Sequence, residues 1–249
     1  MFTIGDRDRV RDRVLDIASS DPCVVAGAAV GSLAHDEGDR WSDLDLMFAV
    51  ADDVPVFEVL EAWTRTVVRE LGAVQLFDLP GGAIIYRVFL LPHGMELDLS
   101  FTPASEFRAS GPKFRLLFGE AVEEPDEPQT PAHELFGYAV HHALHARVAI
   151  ERGRNWQAQY WISAVRDHAL ALACHRRGLD GWYGRDFDRL PADVLAPVNH
   201  ALVRSLDPDE LDRALGSAVA ALLRESAEVG EMADKLEGQL RELASGHAS

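Results

Sequence analysis

The stretch Gly31-Ser32-Leu33-Ala34-His35-Asp36-Glu37-Gly38-Asp39-Arg40-Trp41-Ser42-Asp43-Leu44-Asp45-Leu46 decides how the chain is read. It lies between two apolar runs of strand length, Val24–Val30 and Leu44–Val50. Side chains alternate along a strand, so Asp43 and Asp45 share one face while Leu44 and Leu46 point to the other. Two carboxylates on one face of an apolar strand repel each other and resist burial. A divalent cation removes that cost. Mg²⁺ suits the position, because it takes one or two carboxylates together with phosphate and water oxygens.

A third carboxylate stands in Met95-Glu96-Leu97-Asp98-Leu99-Ser100-Phe101. Leu97, Leu99 and Phe101 form one face of this strand, and Glu96, Asp98 and Ser100 the other. Asp98 is favoured over Glu96 as the third ligand because it lies deeper between apolar residues. Three carboxylates suffice for two metal ions about 3.5–4 Å apart, an arrangement suited to in-line displacement at phosphorus. At Gly31-Ser32, glycine allows close backbone approach, while the N–H groups of a following helix and the serine hydroxyl offer donors to phosphate. The pattern is neither GxGxxG nor GxxxxGK, which removes the Rossmann and P-loop readings.

Gly31-Ser32, then Asp43-Leu44-Asp45 opening a strand, then a lone Asp98 on a later strand resembles the nucleotidyltransferase domain of the DNA polymerase β-like superfamily. The match covers about residues 24–101. A small domain of this kind followed by helices is similar in layout to the aminoglycoside and lincosamide nucleotidyltransferases. The resemblance implies an α+β fold: a small mixed β-sheet with flanking helices, then an all-α bundle. It implies that ATP or another NTP binds with two Mg²⁺ ions held by Asp43, Asp45 and Asp98. It further implies that Gly31 and Ser32 hold the β- and γ-phosphates, and that a substrate hydroxyl attacks the α-phosphate with Asp98 as base. The acceptor would be a small molecule, and the acidity of the first half would suit an aminoglycoside-type polycation. Two other readings stand beside this one: nucleotidylation of a partner protein, as in antitoxin-type members, and nucleotide binding without turnover.

The rest of the chain fits that organisation. Its 249 residues are 47% hydrophobic and suffice for two small domains. Composition changes in the proline-bearing segment Glu120–Pro131. The division is therefore residues 1–124 as the catalytic domain, 125–131 as linker and 132–249 as helical domain, with the helices starting at Ala132, Asn155, Ala192, Pro208 and Glu231. Residues 1–131 carry 11 basic and 24 acidic side chains, within a total net charge of −17. Such a chain repels nucleic acid and anionic membranes. Two distant cysteines, no signal-like apolar start and no run of membrane-spanning length lead to the expectation of a cytoplasmic protein, monomer or homodimer.

Two features of the helical half are ambiguous. His141 and His145 lie four apart, beside His142, and share a helix face. With no further ligand placed near them, they read as a polar surface or a contact between domains. The segment Trp156–Asp167 is aromatic-rich: its Arg166 would contact the nucleotide base or substrate, or else stand in a structural ion pair.

Overall fold

The computed structural model describes residues 1–35, 39, 41–110, 113–124 and 129–245. The chain divides into two compact units, Met1–Glu127 and Pro128–Ser249. Residues 125–128, most of the expected linker, lie outside the described residues.

The first unit is an α+β domain. Helix α1 (Ile4–Ser20) starts in a capping box, in which the Thr3 hydroxyl accepts from the Asp6 N–H and the Asp6 carboxylate accepts from the Thr3 N–H. The strands are β1 (Val24–Val30), β2 (Leu44–Val50), β3 (Val74–Gly81), β4 (Ile84–Leu91), β5 (Met95–Pro103) and β7 (Phe114–Phe118). They form one sheet in the order β3-β4-β5-β2-β1-β7. Strands β2 and β5 run parallel and every other pair is antiparallel, so the sheet is mixed. Short strands β6 (Arg108–Ser110) and β8 (Val122–Glu124) form a separate parallel pair.

Two antiparallel strands can be joined by a tight turn, but the parallel β2–β5 pair needs a crossover. Helix α2 (Val56–Leu71) and the β3–β4 hairpin supply it. The helix buries Val59, Leu60, Trp63 and Val67 and ends at Gly72, whose φ of 65° only glycine adopts readily. Trp63 packs against Phe48 and Phe101 at 4.9 and 5.0 Å, and its indole N–H donates to the Asp21 carboxylate at 2.7 Å.

The sheet therefore has two unlike faces. Leu44, Leu46, Phe48 and Val50 join Leu97, Leu99 and Phe101 in the main core with α1 and α2. On the opposite face Met47 and Ala49 meet Ala26, Ala28 and Phe107 in a much smaller cluster, and this face carries Asp45 and Asp98.

On the helix-covered face, Arg87 is wholly buried. Its guanidinium holds Asp78 through both carboxylate oxygens at 2.7 and 2.6 Å, and reaches Glu61 and the Thr64 hydroxyl at 2.7 Å each. The cation ties α2 to β3 and β4. The bidentate Arg87 holds the Asp78 carboxyl below its ordinary range.

The second unit is all-α: α3 (Ala132–Glu151), α4 (Asn155–His175), α5 (Ala192–Val198), α6 (Pro208–Glu225) and α7 (Glu231–Ser245). Alanines 139, 143, 146 and 149 of α3 are buried with Ile162, Val165 and Ala169 of α4. Small residues at these positions let the helices approach closely. Helix α6 opens at Asp207-Pro208, and the Glu210 carboxylate accepts from the Arg204 N–H and pairs with Arg213. These bonds hold the Glu210 carboxyl down at about 2. The helix expected over Ala192–Ser205 is shorter, because Pro197 removes a backbone donor and the chain tightens into a 3₁₀ turn at Asn199–Ala201.

Replacing Arg87 with Ala leaves a cavity and sets Asp78 and Glu61 against each other. We expect Arg87→Ala to lose about 3 kcal/mol of stability by urea unfolding, with a smaller loss for Asp78→Asn, whose carboxylate is partly solvated.

Candidate active site

The carboxylate site grows from the parallel register of β2 with β5. Asp45 pairs with Asp98, between Leu44↔Leu97 and Leu46↔Leu99. Neighbouring strands lie about 4.8 Å apart, so the two carboxylates stand side by side on the face away from the helices. Asp43 immediately precedes β2 and is exposed, as is Glu96. Asp98 is half-buried, and its Oδ1 is enclosed with no hydrogen-bond partner. Burial first, then the charges of Glu96 and Asp43, push its carboxyl up to about 6.

Gly31 comes to the same place from β1. A Cβ at residue 31 would lie 2.5 Å from Asp45 Oδ2, and the backbone there has φ +68°. Glycine is required on both counts: left-handed backbone and close approach to a carboxylate. The Gly31 N–H donates to the carbonyl of Lys113, the residue before β7, at 3.1 Å, so the start of that strand helps hold the turn. The Ser32 hydroxyl oxygen is buried without a partner.

The expected helix after Gly31-Ser32 is a 3₁₀ turn over Gly31–His35. The reason is topological. Strands β1 and β2 are antiparallel neighbours, so the connection has only to reverse, and Leu33 packs against the main core as it does. Donors toward a phosphate are therefore the Ser32 hydroxyl and local backbone rather than a long helix dipole.

The approach to Asp43 is braced from α1. Buried Arg7 donates to the carbonyls of Asp39 and Ser42 at 2.5 and 3.5 Å. Asp39 accepts from the Trp41 N–H at 2.7 Å, and its own N–H donates to the Ser42 hydroxyl at 3.0 Å. Arg7 is a positioning residue for Asp43. Neither it nor β7 was legible as part of the site. The short apolar run Phe114-Arg115-Leu116-Leu117-Phe118 offered only a weak signal for the strand, and nothing local marked Arg7.

The donor set suits a hard cation: carboxylate oxygens, no nitrogen or sulfur, and an enclosed Asp98 Oδ1 that nothing satisfies. Among the described residues no three His, Cys, Asp or Glu side chains already converge as a metal cage. A pair of carboxylates completed by phosphate oxygens, as Mg²⁺ prefers, requires no such cage.

Arg166 belongs to the helical unit, half-buried, with its guanidinium on Asp167 at 2.7 and 2.9 Å; an ion pair is what the structure gives it. His141, His142 and His145 pack around Trp161, with His142 stacked on the indole at 5.1 Å and 4.9 Å from His168. Burial and the other histidines depress His142 to about 4, so it is neutral at physiological pH. Cys23 and Cys174 are both free thiols. No described helix is long and apolar enough to cross a membrane.

No family model and no curated protein sequence matches the chain. Among solved structures, an aminoglycoside 6-adenyltransferase from Bacillus subtilis aligns over 94% of this chain and 96% of its own, with 12% identity and a TM-score of 0.36.

Asp98 yields a pH signature. A carboxyl whose pKa rises on folding binds its proton more tightly in the folded state, so stability declines as pH climbs from about 4 through about 6. In metal-free buffer, Asp98→Asn should melt above the parent at about pH 8, and the gain should vanish near pH 4. Calorimetry across that range checks it; a pH-independent difference would mean that Asp98 is not desolvated. Gly31→Ala should lose about 1–2 kcal/mol by urea unfolding, from the left-handed backbone and the clash with Asp45.

Proposed function

We propose that the protein is a nucleotidyltransferase that moves a nucleoside monophosphate, AMP from ATP, to a hydroxyl of a small molecule. One observation carries the reading. Ser32 Oγ and Asp98 Oδ1 are enclosed oxygens without partners; Asp98 shares its sheet face with Asp45, and Ser32 directly follows the left-handed Gly31, where a Cβ would meet the Asp45 carboxylate. Buried polar atoms are ordinarily satisfied, and an exception calls for a missing ligand. Phosphate oxygens satisfy the hydroxyl and a hard cation satisfies the carboxylate. Donor and acceptor chemistry of both kinds at one place describes a metal–phosphate substrate.

Asp43, Asp45 and Asp98 would hold the Mg²⁺, which when bound neutralises charge on the phosphates. The protein's own groups do the rest. Gly31 lets the backbone approach the triphosphate, and Ser32 donates a hydrogen bond to it. Asp98, raised to about 6 in the free protein, takes the proton of the acceptor hydroxyl. The new bond joins that oxygen to the α-phosphorus, and the bond to the bridging oxygen breaks, releasing pyrophosphate. Arg7 keeps Asp43 in place through the Asp39 and Ser42 carbonyls.

The test begins with melting temperature under Mg²⁺ and each nucleoside triphosphate. At a hundred times Kd a ligand adds about 2.7 kcal/mol, a rise of about 5–10 °C. We expect that rise with Mg·ATP and not with ATP in EDTA, and expect Asp45→Asn to abolish it. With α-labelled ATP and a productive acceptor, Asp43→Ala or Asp45→Ala should remove label transfer by at least about a thousandfold while leaving the metal-free melting temperature near that of the parent. Near-normal transfer in either variant would refute the site.

A further inference from the structure

The sheet face that carries Asp98 does not end there. Asp98 pairs with Val88 on β4, and Val88 pairs with Phe77 on β3. Along the same face Tyr86 stands opposite Ser100 and Leu79, while Leu90 stands opposite Glu96 and Val74. Val88 is buried; Val74, Phe77, Leu79, Tyr86 and Leu90 are 38–61% exposed. Six apolar side chains thus continue the carboxylate row to the edge of the sheet. Two strand spacings and the residues from Tyr86 to Leu90 span about 10 by 13 Å, the footprint of one or two rings.

Strand order says what lies there. Gly31 and Ser32 follow β1, on one side of β2 and β5; β4 and β3 lie on the other. In-line displacement needs the attacking oxygen opposite the leaving pyrophosphate. With the β- and γ-phosphates at Gly31-Ser32 and the base at Asp98, the acceptor approaches over β4 and β3. We infer that the acceptor is an amphiphile: a hydroxyl beside Asp98 on an uncharged, ring-sized apolar body that lies on Val74, Phe77, Leu79, Tyr86, Val88 and Leu90. This rests on the nucleotidyltransferase reading and narrows it. None of these six side chains carries charge, so beyond Asp98, Glu96 and Asp43 the contacts offered to the acceptor are apolar.

Other occupants fit less well. A second copy would bring together two units that are each strongly acidic, against repulsion. Strand addition at the β3 edge is opposed by the bulge between Gln75 and Phe77 and by Pro80, devices that blunt edges. The face itself stays open to a small molecule.

The probes are methyl, butyl and hexyl β-D-glucopyranoside, which pair fixed hydroxyls with a growing apolar part, and kanamycin as the polycation. Affinity is measured by titration calorimetry with Mg·ATP present, and turnover by pyrophosphate release. Affinity should strengthen about fourfold per methylene. Phe77→Ser and Leu79→Ser should flatten that dependence while the melting shift with Mg·ATP persists. A flat series with Mg·ATP bound, a slope unchanged in both variants, or kanamycin binding more tightly than hexyl glucoside would overturn this inference alone. A concentration-dependent dimer in sedimentation equilibrium that Phe77→Ser dissolves would overturn it in favour of a second copy. If Mg·ATP fails to bind while the graded series binds, the transfer reading falls, and the face loses its assignment as an acceptor surface.

Discussion

The parallel pairing of β2 with β5 is the constraint on which the first unit depends. It aligns Asp45 with Asp98 and, one residue to either side, Leu44 with Leu97 and Leu46 with Leu99. One register therefore fixes both the main core and the carboxylate row. A slip of a single residue would turn the leucines out and the carboxylates into the core. That electrostatic penalty and the lost apolar burial act together, so the same interactions that stabilise the fold specify the site.

The cost is visible at Asp98. Desolvation and neighbouring negative charge raise it to about 6, and its Oδ1 stays unsatisfied. A fold that tolerates such a group needs stability from elsewhere, and the helix-covered face supplies it. Phe48, Trp63 and Phe101 pack ring against ring, and Arg87 ties α2 to the β3–β4 hairpin. The two faces of one sheet are thus assigned opposite tasks: one packs the main core against the helices, the other carries the carboxylates, with Asp98 Oδ1 unsatisfied.

Much of this was legible in the sequence because alternation is a strict rule. Leu44–Val50 and the division of Met95–Phe101 into a leucine face and a carboxylate face follow from period two alone. The expectation that Asp43, Asp45 and Asp98 serve one site rests on the family resemblance as well, since alternation does not say which strands are neighbours. What could not be read depends on contacts between distant segments. Nothing near Arg7 shows that its guanidinium braces the residues before Asp43. The five-residue β7 is too short to stand out from the loop around it. The turn at Gly31–His35 was expected as a helix because strand-to-helix turns often follow glycine-serine; the antiparallel placement of β2 beside β1 decided otherwise. In the helical half, Arg166 was read two ways, and its bond to Asp167 is local enough that neighbouring residues alone suggested it.

On the proposed reading, contact with the open face rather than net charge would select the acceptor. A net charge acts over a Debye length of about 10 Å and steers whatever approaches. Selection at a site is made within contact distance, by desolvated surfaces and paired polar groups. Beyond Asp98 the contact surface is valine, phenylalanine, leucine and tyrosine, on strands whose other face carries the Arg87–Asp78 pair. The charges of the hairpin are directed inward to hold the structure. The face left toward the carboxylates is apolar, and on the reading proposed above this division, set by the pleat of β3 and β4, would give the site a direction: phosphate on the β1 side, apolar acceptor on the β3 side.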